Sequence, residues 1–169
     1  MAWIRGINVG TSERLLMADL RSIAASCGFE NPRTYVQSGN LVVDTDDGPD
    51  DVAAALEAAI AEQTRISPAV VARSDSELRS VVAHNPYLER TEDPTKLHVL
   101  FHREPIGALG LNDAEFLPEE LTVSGRELYL YLPDGLGRSP LAQALGNRRP
   151  APLVTARNWR TVLAVADLL

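Results

Sequence analysis

The chain has one cysteine, few aromatic residues and no long apolar run, and each shortage removes a class of protein. A lone Cys27 excludes a disulfide within the chain and fits a reducing compartment. The apolar stretches are broken by charges well short of the ~18 residues a membrane span needs. The opening M-A-W-I-R-G does not read as a signal peptide, so a cytoplasmic location is expected. Aromatic residues make up 5% of the chain, which leaves little for stacking on bases. No Walker sequence, complete G-x-G-x-x-G or C-x-x-C is present, so the common nucleotide and zinc signatures are missing. D-T-D-D-G (Asp44 to Gly48) places Gly48 where a calcium loop needs a ligand. His98 and His102 face the same side of one strand, but no third ligand follows at regular spacing. Neither a metal nor a cofactor is expected.

Positive charge is also short. The net charge is -7 and the pI about 4.9, which sets an unfavourable field between this surface and a phosphate backbone and argues against nucleic-acid binding. A local basic patch can still hold one small anion, because a short-range site does not follow the total.

What the chain does have is an internal echo. V-Q-S-G-N (Val36 to Asn40) returns as V-S-G-R (Val123 to Arg126), and P-A-V-V-A-R-S (Pro68 to Ser74) returns as P-L-V-T-A-R-N (Pro152 to Asn158). The separation from Gly39 to Gly125 nearly equals that from Arg73 to Arg157, as a tandem duplication requires. With 169 residues, 45% of them hydrophobic, there is enough apolar material for a sizeable core.

The first copy reads as a strand over Ala2 to Val9, then a helix with a stripe of Leu16, Leu20, Ile23 and Cys27 that Gly28 stops with a left-handed cap. A hairpin follows, Thr34 to Gln37 and Leu41 to Asp44 around Ser38-Gly39. Pro49 opens a second helix through Val52, Leu56 and Ile60. Ala69 to Ala72 makes a fourth strand, and Ser74-x-x-Glu77 is a capping box for one helix more. From Lys96 the order repeats: strand Leu97 to His102, a weak helical stretch around Asn112 to Phe116, and a hairpin meeting at Ser124-Gly125. Helix Arg138 to Leu145, strand Leu153 to Ala156 and a last helix with Trp159, Val162, Leu163 and Ala166 complete it. Glu119, Glu120 and Glu127 flank the hairpin and read as solvated surface.

The expected fold class is therefore α+β: two tandem ferredoxin-like (βαββαβ) plaits, antiparallel sheets with helices packed on one face. The expected domains are 1–85, the first unit plus an extra helix, and 95–169, the second unit plus the C-terminal helix. Pro86 to Pro94, rich in charge and proline, reads as the link between them.

This topology gathers polar residues at two edges. In the first unit, Asn8 and Gly10 meet Gln37, Ser38, Gly39 and Asn40 beside the first helix start, where backbone N–H groups lack partners. The bland alternative is that these residues only make a tight turn. Arg5 lies inside a central strand and needs a carboxylate, a wet face or a ligand, and Gly6 beside it suggests close approach by a backbone or ligand. In the second unit, G-L-G-R-S brings Arg138 and Ser139 towards Arg157 and Asn158 of A-R-N-W, so two helix starts and two guanidinium forks would serve one anion. Ser139 and Asn158 are equally good as plain helix caps. No nucleophile sits with a base and no carboxylate pair has a defensible spacing, so whether there is a reaction stays open.

With R-G-I-N-V-G, Y-V-Q-S-G-N, L-Y-L-Y-L-P-D-G-L-G-R-S and T-A-R-N-W in this order, the chain resembles the domain-of-unknown-function 1697 family over nearly its whole length. The resemblance implies a bacterial-type protein with two tandem plait-like subdomains and no established activity or cofactor. It places the family's recurring polar positions on Arg5, Asn8, Gln37, Ser38, Asn40, Arg138, Ser139, Arg157 and Asn158. The chain departs from the pattern at T-S-E-R (Thr11 to Arg14) and at G-N-R-R-P-A-P (Gly146 to Pro152), where lysines are usual.

Three functions compete. A small anionic ligand, phosphorylated ones included, leads, held by Arg138, Arg157 and the helix starts beside them, with Arg5, Asn8, Gln37 and Asn40 completing the site if opposite edges of the two units face each other. A non-catalytic protein-interaction module with structural polar motifs is the first rival. RNA binding through the sheet face, where Tyr129 and Tyr131 alternate, is the second. No membrane partner is expected, and the oligomeric state is not readable.

Overall fold

The computed structural model of the chain describes residues 1–5, 7–8, 14–147 and 154–169. Gly6, Gly10, Thr11 to Glu13, the strand start at Leu153 and most of the G-N-R-R-P-A-P run, all singled out in the sequence, lie outside those residues.

The described residues form an α+β structure with two four-stranded antiparallel sheets and five α-helices. The order is β1 (Ala2–Arg5), α1 (Met17–Ser26), β2 (Glu30–Tyr35), β3 (Asn40–Asp44), α2 (Pro49–Gln63), β4 (Ala69–Ala72) and α3 (Asp75–Ala83). It continues with β5 (Leu97–His102), β6 (Glu120–Ser124), β7 (Glu127–Tyr131), α4 (Pro140–Gly146), β8 (Val154–Asn158) and α5 (Trp159–Ala166). Strand order is β2-β3-β1-β4 in one sheet and β6-β7-β5-β8 in the other, so each copy repeats the arrangement of its twin. Two compact units result: 1–79 with 164–169, and 80–163.

In the first unit, Ala2, Ile4, Leu41, Val43, Val70 and Ala72 turn one sheet face towards Leu20, Ile23, Leu56 and Ile60 of α1 and α2. Each such aliphatic side chain is worth roughly 1.5–3 kcal/mol when fully removed from water, which makes this layer the main source of that unit's stability. The helix stripe differs from expectation by one step. Leu16 precedes α1 and is 55% exposed, while Met17, Leu20, Ile23 and Ala24 are the buried positions. Gly28 does stop the helix, at φ +87°, with its N–H and that of Phe29 bonded to Ala25 and Ala24.

β2 starts earlier than its sequence suggests. It runs through Asn31-Pro32 because it is an edge strand with a register shift between Glu30 and Arg33, where Asn31 takes φ +45°. The Ser74/Glu77 box forms in both directions, Glu77 N–H to Ser74 Oγ at 3.2 Å and Ser74 N–H to Glu77 Oε2 at 2.8 Å.

In the second unit, Leu128, Leu130 and Leu132 of β7 face Leu141 and Leu145 of α4. Tyr129, on the other face, is 3% exposed, with its hydroxyl 3.4 Å from the Val81 carbonyl, so it presents no ring to stack a base. The proline-rich stretch before β5 is fastened to this sheet. Tyr87 Oη bonds Thr122 at 2.8 Å, and Arg90 pairs with Glu120 and lies over the Tyr131 ring.

Candidate functional site

At the first unit's edge, Asn8 does the joining. Its side chain donates to the carbonyls of Leu15 at 2.9 Å and Gln37 at 3.3 Å and accepts from the Leu15 N–H at 2.9 Å. The end of β1, the approach to α1 and the β2–β3 turn are thereby tied at one point. Asn8 adopts φ +58° to do so, which asparagine tolerates.

The turn itself, Val36 to Gly39, packs hard against β1. Ile4 N–H donates to the Gly39 carbonyl at 2.8 Å, and a Cβ at Gly39 would lie 2.6 Å from the Ile4 carbonyl oxygen. Only glycine fits there. Asn40 is buried and donates to Tyr35 O and Ser38 Oγ at 2.9 and 2.8 Å. Val36 takes φ +49° and is 56% exposed, an uncommon conformation for a β-branched residue.

Asn8, Ser38 and Asn40 are thus engaged in the local fold, whereas the side chains of Arg5 and Gln37 are exposed and have no hydrogen bond or ion pair among the described residues. Arg5 is exposed in register with Ala69, on the strand face opposite Ile4. Two further arginines belong to the same edge. Arg14 precedes α1 and Arg65 follows α2, both exposed and without a partner among the described residues. Arg65 carries no motif signal in the sequence, although the topology that collects Gln37 also brings the end of α2 to this edge. Beside these three cations α1 opens on Leu16, which makes no side-chain cap.

In the second unit, the strand register separates the paired motif residues. Arg157 stands opposite Val99 and Asn158 opposite His98, so the two project to opposite faces of the sheet. Asn158 Oδ1 accepts from Thr161 N–H at 2.9 Å and caps α5. Arg157 donates to Thr155 Oγ1 and the Ala156 carbonyl, both at 2.8 Å, and burial pushes its guanidinium down to about 10, which leaves it charged at neutral pH. Arg138 is exposed and has no partner among the described residues.

Ser139 caps α4 by accepting from Ala142 N–H at 2.8 Å, and its hydroxyl donates to Glu119 Oε2 at 2.9 Å. The same carboxylate oxygen accepts from Leu141 N–H at 2.9 Å. Glu119 is 6% exposed, which corrects its reading as solvated surface. A carboxylate of the chain itself therefore occupies the start of α4. Its sequence signal is faint, because the partner residues are some twenty positions away.

The equivalent end of the first unit holds an open cavity of about 710 Å³ bordered by Glu30, Asp44, Asp46, Asp47 and Asp75 as well as Arg33 and Arg73. Asp44 is held below the usual carboxylate range by a hydrogen bond from Asn31 and by Arg33. Among the described residues, no group of three or more His, Cys, Asp or Glu side chains is placed to hold a metal ion. No helix among them is long and apolar enough to cross a membrane.

Residues 1–129 match the family described as Protein of unknown function (DUF1697), and the chain belongs to that family. The fold is similar to the structure of a conserved bacterial protein, SP0830, from Streptococcus pneumoniae, at a TM-score of 0.74 and 19% identity, over 99% of this chain and 96% of that one. No curated protein matches the chain.

Proposed function

We propose that each unit is a ferredoxin-like plait and that the chain binds a small anionic ligand, with the edge around the start of α1 as the receiving surface. The observation that carries this reading is the coincidence of a helix start without a side-chain cap and three exposed arginines, Arg5, Arg14 and Arg65, that have no partner among the described residues. Helix starts offer free N–H groups and partial positive charge, and guanidinium groups match carboxylate and phosphate oxygens. Gln37 adds an uncommitted amide. Arg138 and Arg157 with Ser139 and Asn158 form the lesser alternative, since both neighbouring helix starts already have acceptors from within the chain.

The test is thermal unfolding with inorganic phosphate, nucleotides and sugar phosphates. A ligand present at 100 times its Kd stabilises the folded chain by about 2.7 kcal/mol. Arg5→Ala and Arg65→Ala, both at exposed positions, should abolish the shift at almost no cost to basal stability. Loss of the shift on Arg157→Ala alone would move the site to the second unit. No shift with any anion would sink the proposal.

The second reading, an interaction module whose polar motifs are structural, has a specific observation in its favour. Asn8, Asn40, Ser139 and Asn158 all spend their side chains on neighbouring backbone or side-chain groups.

A further inference from the structure

The second sheet contains a buried histidine that the anion reading does not use. His98 in β5 is 6% exposed, with Leu130 of β7 opposite on one side and Asn158 of β8 opposite on the other. Its Nδ1 has no hydrogen-bond partner among the described residues. A bare lone pair in an apolar layer is tolerable, whereas a charged N–H in the same place needs an acceptor. Burial accordingly pushes the imidazole below its usual value of 6.5, and the Lys96 backbone offsets only part of this.

The elements around the ring carry little charge. Leu130 and Asn158 face it from β7 and β8, and α4 has no titratable side chain. The charged or titratable groups on the segments that adjoin it are Lys96 just before β5, His102 at its end, Glu119 and Arg138 before α4, and Arg160 in α5. None of these side chains contributes to the shift. The cross-strand acceptor in register is Asn158 Oδ1, already given to the Thr161 N–H at the start of α5.

We propose that His98 is an acid-operated latch on the junction of β8 and α5. The neutral ring leaves Asn158 to cap α5. A proton taken from solvent onto Nδ1 makes a donor that competes for Asn158 Oδ1, and the first turn of α5 loosens.

The direction with pH follows from linkage. The unfolded chain protonates this histidine near 6.5 and the folded chain only at lower pH, so between those values the unfolded state holds more protons. Stability is fully present above about 6.5 and falls as pH drops towards the folded-state value, by at most about tenfold in the folding equilibrium per pH unit. Exposed carboxylates titrate near 4, below this window.

The experiment is hydrogen exchange on the full chain at pH 7.5 and 5.5, corrected for intrinsic exchange rates. Protection at Thr161 to Val165 should fall severalfold more than protection in α1. His98→Leu should remove the difference, and His98→Gln, uncharged and polar, replaces it if the leucine variant fails to fold. Equal protection of α5 at the two pH values would overturn the proposal, as would an acid loss that persists in His98→Gln.

Discussion

The helices that lead into the last strand of each sheet, α2 before β4 and α4 before β8, begin alike in sequence and differently in space. Each has a proline in its first turn. α2 follows Gly48, which provides no side-chain cap, and carries Asp50 and Asp51 within its own first turn beside an open acidic cavity. α4 follows Ser139 and receives Glu119, a buried carboxylate from the approach to β6. A helix start attracts negative charge, and the copies supply it from different places, one from inside the helix and one across the fold. What this teaches is that a helix start counts as a ligand site only after the chain's own carboxylates have been placed. The start of α1 has Asp19 in its first turn, as α2 has its own acids, but it combines a missing side-chain cap with three exposed arginines at the same edge.

The contrast can be broken most forcefully at Glu119. Glu119→Ala should destabilise the protein by roughly 3 kcal/mol in urea unfolding, since it strands a buried hydroxyl and a buried N–H that now share a charged acceptor. Glu30→Ala, at the exposed start of β2, should cost under about 0.5 kcal/mol. Equal losses would erase the distinction between the units.

The turn glycines sharpen the comparison next. Gly39→Ala should cost roughly 2–3 kcal/mol, combining a positive φ with a backbone clash. At Gly125, φ is +61° but the nearest atom to a new Cβ is Glu127 Oε2 at 3.9 Å, so Gly125→Ala should cost only about 1 kcal/mol, measured in the same way. The smallest effect is expected at Val36. Val36→Asn should raise the unfolding midpoint, by up to about 1 kcal/mol of added stability, because asparagine accepts φ +49° more readily than valine.

Much of the order of elements was legible, because duplication, helical periodicity, a capping box and turn glycines are local signals. Ala69–Ala72 and the Pro49 helix start were readable residue by residue. Local signals failed where a distant partner decides. Leu16 has helical spacing yet is exposed, since it stands before the helix with extended backbone and so leaves the face that Met17 and Leu20 bury. Glu119 looks like any surface glutamate until α4 is folded beside it. Arg157 and Asn158 are adjacent in sequence, and strand alternation sends them to opposite faces. Asn8 and Gln37 were named together from topology, but the structure makes the link through Asn8's side chain to the Gln37 backbone, leaving the glutamine amide uncommitted.

The Glu119 contact also bears on how the second unit assembles. α4 has seven residues, too few to persist as an isolated helix, and part of its N-terminal support arrives from a carboxylate outside its own segment. Its formation is therefore tied to the β6–β7 hairpin being docked, so the helix and hairpin should open together as one cooperative block in native-state exchange.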